Sequence, residues 1–307
     1  MNSDAVIKLI TEQLRPEMYC LVLVDPLAVR EDSHLSILAR VHETMGESAI
    51  TRVYRADLPP EPALHPALIC LSSPGMQPCP SLLKATAEAA LHDVQRRKRH
   101  VCGWLLSKTP PARIAYHITA LCRLPNETGA TSFSPVYEPL RLELLVALLQ
   151  QPEHGPWWPI EHWVFLTSGG RLASLNGHPN SRSDLPAATT RVLGDVALIE
   201  ALLAARRVLL SRPRSPELLP LPTLAAVRAS NHIEDARRLG LSEQEDILVL
   251  ALHQLCLHPD IHKLAAVQRL IDTCIRLRRP LSSLLSTLSA ATWDRMIATL
   301  PPARPHS

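Results

Sequence analysis

The run YCLVLVD at residues 19–25 constrains this chain more than any other stretch. It is continuously apolar from Cys20 to Val24 and closes on Asp25-Pro26, so it reads as a short strand bounded by a turn. Further strands are expected at ITRVYR (50–55), ALICLS (67–72) and VCGWLLS (101–107). Between the last two, residues 82–97 place Leu83, Ala87, Ala90, Leu91 and Val94 at helical spacing, with Lys84, Glu88 and Asp93 elsewhere. PPARIAYHITALCRL (110–124) reads as a helix opened by proline, and TSFSPVY (131–137) as a strand made edge-like or bulged by Pro135. HWVFLTS (162–168) and RLASLN (171–176) flank Gly169-Gly170, a hairpin signal.

Strand and helix patterns alternating in this way predict an α/β amino-terminal lobe over residues 1–176, a mixed sheet with flanking helices. Residues 177–190 carry only turn and loop types and are expected to form a linker, and 211–222 make a second, proline-rich break. The remainder, 191–307, reads as an all-helical lobe. It opens with one helix over 191–210, continues with a capping box at Ser242 and Glu245 leading a helix to about Leu257, and ends with apolar stripes through Ile271 and Trp293.

At 307 residues the chain can bury its core without disulfide staples, and its seven cysteines, scattered through apolar stretches, are expected to be free thiols in a reducing compartment. The amino terminus breaks its apolar positions with Lys8, Glu12, Arg15 and Glu17, and no later apolar run is long enough to span a bilayer. A cytoplasmic protein without a membrane partner is expected. Lys and Arg total 32 against 29 Asp and Glu, a net charge of +3, which argues against nucleic acid as the main partner. Glycine is scarce at ten residues, so a glycine-rich phosphate cradle is not expected.

Glu138 poses the question of a catalytic carboxylate. Pro139 forces the residue before it out of the helical conformation and itself suits the first helical position, so Glu138 is expected at a helix entrance, meeting the positive end of the dipole. The leucine-rich helix behind it should be buried around most of its circumference. His253, Cys256, His258 and His262 are the most metal-like group, but Pro259 divides them and no second ligand pair follows, so no metal or cofactor is expected. Arg96 to Arg99 form a basic run at a helix end, read as a solvated terminus in preference to a phosphate patch. No GxSxG motif is present, and no catalytic residues are assigned; a hydrolase using Asp25 or Glu138 is kept as the alternative, and a nucleic-acid binder centred on Arg96 to Arg99 as the weakest reading. Trp157, Trp158 and Trp163 are either a core cluster or a partner-binding surface.

The order of these features resembles one family. A strand ending in Asp25-Pro26, a strand from Gly103 to Ser107 followed by a helix, Tyr137-Glu138-Pro139 leading into a leucine-rich helix, and Gly155-Pro156 before an aromatic strand resemble the type VI secretion effector-adaptor family, domain of unknown function 4123. The resemblance covers about residues 19–175. The third motif of that family usually reads aromatic-Arg-aromatic-Tyr-Asp-Pro; here Pro135 and Val136 replace the arginine and aromatic, Glu138 replaces the aspartate, and Cys102 stands where tryptophan is common. The resemblance implies a non-enzymatic cytoplasmic adaptor that binds a toxic effector protein and helps load it onto the valine-glycine repeat spike protein, VgrG, with the motif positions serving structural roles.

Overall fold

The computed structural model describes residues 2–28, 37–94, 96–125, 129–149, 155–181, 185–210 and 221–302. The chain divides into two compact units, one comprising Met1–Gly194 with Pro222–Leu224 and the other Asp195–Leu221 with Ala225–Ser307.

The first unit is built on a six-stranded sheet. Its strands are β1 (Tyr19–Val24), β2 (Ile50–Arg52), β3 (Ala67–Ser72), β4 (Val101–Ser107), β7 (His162–Leu166) and β8 (Leu172–Asn176), in the order β2-β3-β1-β4-β7-β8, and every pairing is antiparallel. The short strands β5 (Arg123–Pro125) and β6 (Thr131–Phe133) pair separately. β1 is central and apolar at successive positions because both faces are covered. Cys20, Val22 and Val24 join Ile69, Trp104 and Val164 in a core that packs on α1 (Ser3–Gln13), α2 (Ile37–Met45) and α3 (Pro80–Asp93). The alternate residues Leu21, Leu23, Leu68, Leu105 and Phe165 are also buried, and α4 (Pro111–Leu121) meets the sheet at β2 and β3. α5 (Pro139–Leu149) and α6 (Ala188–Gly194) pack on each other.

Among its described residues the second unit holds helices and no strand: α7 (Val196–Leu210), α8 (Ala225–Arg238), α9 (Gln244–Cys256), α10 (Ala265–Leu277), α11 (Leu281–Leu285) and α12 (Ala290–Ile297). An α/β lobe followed by an all-α lobe is therefore the architecture. Several expected elements differ in extent. β2 stops at Arg52 and β6 at Phe133, so neither reaches the ends expected at 55 and 137. The helix expected over 191–210 is two helices, broken at Asp195, with the first in the sheet-bearing unit; the Gly194-Asp195 pair is a helix stop followed by a helix start. The expected linker at 177–190 includes the first residues of α6, while 182–184 and most of the 211–222 break lie outside the described residues. The Ser242 capping box does not form: α9 begins after Glu243, which makes no side-chain cap bond.

Gly103 shows why one position of β4 admits no side chain. Its φ is +152°, and a Cβ placed there would stand 2.7 Å from Val164 O and 2.8 Å from Trp163 Nε1. The same stretch holds an irregularity in which Leu23 faces Gly103 and Val24 faces Val101, leaving Cys102 as the extra residue of a bulge. Gly103→Ala is expected to destabilise the sheet-bearing unit by about 1–3 kcal/mol, because the added methyl meets backbone that cannot yield freely. Gly194→Ala, which meets open space, should stay within about 0.5 kcal/mol of the parent. Urea unfolding followed by tryptophan fluorescence measures both, since Trp104, Trp157, Trp158 and Trp163 all report on this unit.

Candidate functional site

β1 delivers Asp25 to the edge of the core, where its amide donates to His100 O at 2.8 Å and His100 Nδ1 donates back to Asp25 O at 2.9 Å. Asp25 Oδ1 accepts the Leu27 amide at 2.9 Å, the local turn that an aspartate forms two residues ahead, with Pro26 between them. Oδ2 accepts the Tyr137 hydroxyl at 3.2 Å across 112 residues of sequence. Arg55 completes the node: Nη1 donates to the Tyr137 oxygen at 3.1 Å and stands 3.8 Å from Asp25 Oδ2. Its Nε and Nη2 hold Asp57 at 3.2 and 2.7 Å, and the guanidinium lies 5.1 Å from the centre of the Phe133 ring. The Arg55 amide donates to His65 Nδ1 at 3.1 Å, and that ring stacks on Tyr54 at 5.3 Å.

Asp25, Arg55 and Tyr137 are all buried, so their charges and dipoles act on one another with little screening. Burial pushes the Tyr137 phenol well up from its ordinary value, and the Asp25 charge adds to the rise, so Tyr137 is a neutral donor. Burial alone would pull the Arg55 guanidinium down, but the hydrogen bond it donates to Asp57 and the pairing with Tyr137 more than offset it. The hydrogen bond from Arg55 in turn holds Asp57 below its usual value. Arg55 reaches this node from the segment after β2. In the sequence the only signal for Arg55 is a charged residue ending a strand-like run.

Glu138 sits at the entrance of α5 as expected. Its carbonyl accepts the Leu142 amide at 3.0 Å, and Pro139 begins the helix, of which Ala147 alone is exposed among the described residues. The carboxylate does not act on the dipole alone. It accepts Arg141 Nε at 2.7 Å, and burial raises its pKa although Arg141 opposes the shift. One turn on, buried Glu143 accepts the Ser168 hydroxyl at 2.9 Å and the Ser168 amide.

The tryptophans separate into two kinds. Trp157 and Trp163 are fully buried and meet edge to face at 6.4 Å and 87°, a core contact. A Cβ on Gly155 would stand 2.3 Å from Trp157 Nε1, so Gly155 and Gly103 each leave the space that one of these rings occupies. The partner-binding expectation fails for Trp157 and Trp163, because a ring without exposed area has no face to offer. Trp158 keeps 39% of its surface exposed. Pro156 O accepts His117 Nε2 at 3.1 Å, which ties its loop to α4, and Ser107 Oγ donates to Pro159 O at 2.6 Å while accepting the Thr109 amide, which ties that loop to the sheet.

The remaining candidates disperse. His253 Nδ1 donates to Val249 O, His258 Nε2 to Pro301 O, and His262 contacts Gln254; no group of three metal-ligating side chains converges among the described residues. Arg96 pairs with Asp93, and Arg99 donates to the carbonyls of Leu166 and Thr167, which turns part of the basic run into a clamp on β7. All seven cysteines are free, and no helix among the described residues is long and apolar enough to cross a membrane. No protein-family model, curated protein or solved structure matches the chain.

Two predictions test the node. Tyr137→Phe removes the donor to Asp25 Oδ2 and is expected to cost about 1–3 kcal/mol. Arg55→Met leaves the aspartate buried beside an apolar chain and is expected to cost about 3–5 kcal/mol, both read from urea midpoints. The second concerns pH. The folded pKa of Asp57 lies below its unfolded value near 3.9, so the stability it contributes is complete above that value and is lost as pH falls through the lower folded one. In melting curves recorded from about pH 5 down to 2.5, Asp57→Asn should flatten this acid limb. An unchanged slope would remove Asp57 from the network's energetics.

Proposed function

We propose that this protein is a non-enzymatic adaptor that binds a cognate type VI secretion effector in the cytoplasm and helps load it onto the VgrG spike. The observation that carries the reading is convergence. Asp25 and Tyr137, from the first and third stretches of the resemblance, share one buried hydrogen bond, and Gly103, from the second, lies beside Trp163 in the same sheet. Residues so far apart in sequence support a common fold when they meet in this way. The two-unit architecture, a sheet-bearing unit and a helical one, is compatible with an adaptor that must engage two protein partners. We assign effector specificity to the helical unit, and leave Trp158 as the tryptophan able to contribute to spike or effector contact.

A hydrolase reading requires a carboxylate free to act on substrate. Both oxygens of Asp25 accept protein donors, and Glu138 is paired with Arg141, so each needs a rearrangement before it could serve as base or nucleophile. The basic run is a weak nucleic-acid candidate for a similar reason, since Arg96 and Arg99 already have protein partners.

A pull-down of the tagged full-length protein from its native lysate, with mass spectrometry at low and moderate salt, tests the proposal. Recovery of a large toxin-like protein or a spike component, retained at moderate salt, is the expected result. If nothing stoichiometric co-elutes and a small molecule at 100 times its dissociation constant stabilises the fold by about 2.7 kcal/mol, the enzyme reading replaces this one.

A further inference from the structure

The six-stranded sheet has two edges, and they are finished differently. At one, β2 is three residues long, ends on Arg52 and is packed by α4. Short length, charge and a covering helix are devices that keep an edge from pairing with another chain. At the other edge β8 is five residues long, LASLN, and carries no charged residue and no proline. Its only neighbour in the sheet is β7. The hairpin fixes which main-chain groups stay open. Thr167 N donates to Arg171 O at 2.8 Å and Gly177 N to Glu161 O at 3.1 Å, so Arg171, Ala173, Leu175 and Gly177 turn their main-chain groups toward β7. The alternate residues Leu172, Ser174 and Asn176 turn theirs outward, and none of those groups makes a hydrogen bond among the described residues.

An open edge accepts an extended chain, and the side chains of β8 favour its own sequence. Antiparallel pairing about a two-fold axis through Ser174 sets Ser174 opposite Ser174, Leu172 opposite Asn176 and Ala173 opposite Leu175. The first two pairs join the outward-facing residues, so the free N–H and C=O groups of each copy meet those of the other in a single register. The small Ala173 faces the larger Leu175, and no like charges come together along the strand. The flanks fit as well. The same register brings exposed Arg171 beside Gly177 of the second copy. A Cβ on Gly177 would stand 2.7 Å from Trp158 N, so that glycine lies against Trp158, which is 39% exposed. A guanidinium and an indole meeting there would add a cation–π contact.

We propose that β8 pairs antiparallel with β8 of a second copy of this chain, joining two six-stranded sheets into one. The inference goes beyond the adaptor reading and does not depend on it. In the dimer Trp158 borders the two-fold interface, and only the single chain leaves it open to a spike or effector.

Sedimentation of the full chain over about 1–100 µM tests the proposal. The parent should pass from monomer to dimer as its concentration rises. Ser174→Lys sets two ammonium groups opposite each other across the axis and should raise the dimer dissociation constant about tenfold or more, with part of the loss restored by high salt. Ser174→Pro deletes an outward donor that β7 does not use, and should give a monomer with unchanged circular dichroism. Should the proline disturb the hairpin, the lysine variant carries the test alone. Ser174→Thr suits a strand and should leave the dimer intact. A parent that stays monomeric throughout, or a dimer that Ser174→Lys does not weaken, overturns the proposal. So does a monomeric parent whose lysate partner is lost in Ser174→Lys, because the edge would then receive a foreign strand. The adaptor reading fails separately. An effector recovered with a chain that never dimerises leaves the adaptor standing without this interface, whereas a dimer with no lysate partner leaves the interface without the adaptor.

Discussion

The hydrogen bond between Tyr137 and Asp25 is the contact on which the sheet-bearing unit depends. It ties the end of the central strand to the chain that enters α5, and those segments have no continuous secondary structure between them to fix their spacing. Both groups are buried, so neither can exchange its partner for water without opening the core. Arg55 makes the arrangement tolerable by placing positive charge beside the aspartate, and Asp57 and Phe133 hold the guanidinium in turn. A node of this kind is worth less as net stabilisation than as specification. Alternative packings would strand a charge, and that cost falls on every misfolded competitor.

Around the node the constraint changes from charge to volume. Trp157 and Trp163 fill space that Gly155 and Gly103 vacate, so two of the resemblance positions are explained by what they lack. Glycine in a central strand normally weakens it, and here the loss is offset by an aromatic ring packed against the backbone. The two mechanisms meet at Cys102, the bulged residue beside Gly103. Burial pushes its thiol well above the ordinary range, and the Asp25 charge raises it further, which places the bulge within the field of the node.

Features set by neighbouring residues were legible in the sequence, and features set by distant ones were not. β1 and β4 are apparent as apolar runs because both faces are covered, and the entrance of α5 is apparent because proline acts only on the residues beside it. Arg55 was invisible as a functional residue because its partners lie 82 residues away at Tyr137 and 30 positions back at Asp25, and no spacing rule connects them. The Ser242 capping box misled for a related reason. The chain leaves α8 through a turn that commits Gly240 and Leu241, and α9 then starts one residue later than the motif requires. The tryptophan cluster gave no means of separating core from surface, since composition is the same for a ring that fills a glycine gap and one that keeps an open face.

The same distinction bears on where binding chemistry can reside. Each charge of the Asp25 node faces an opposite charge or a donor within the fold, so the node has little left with which to attract a partner. In the helical unit Asp246 is likewise engaged inside, while Glu243, Glu245 and Arg278 are exposed and form no ion pair among the described residues. In both units the carboxylates that tie distant segments together, Asp25 and Asp246, are buried, and exposed charge is left to residues outside those networks.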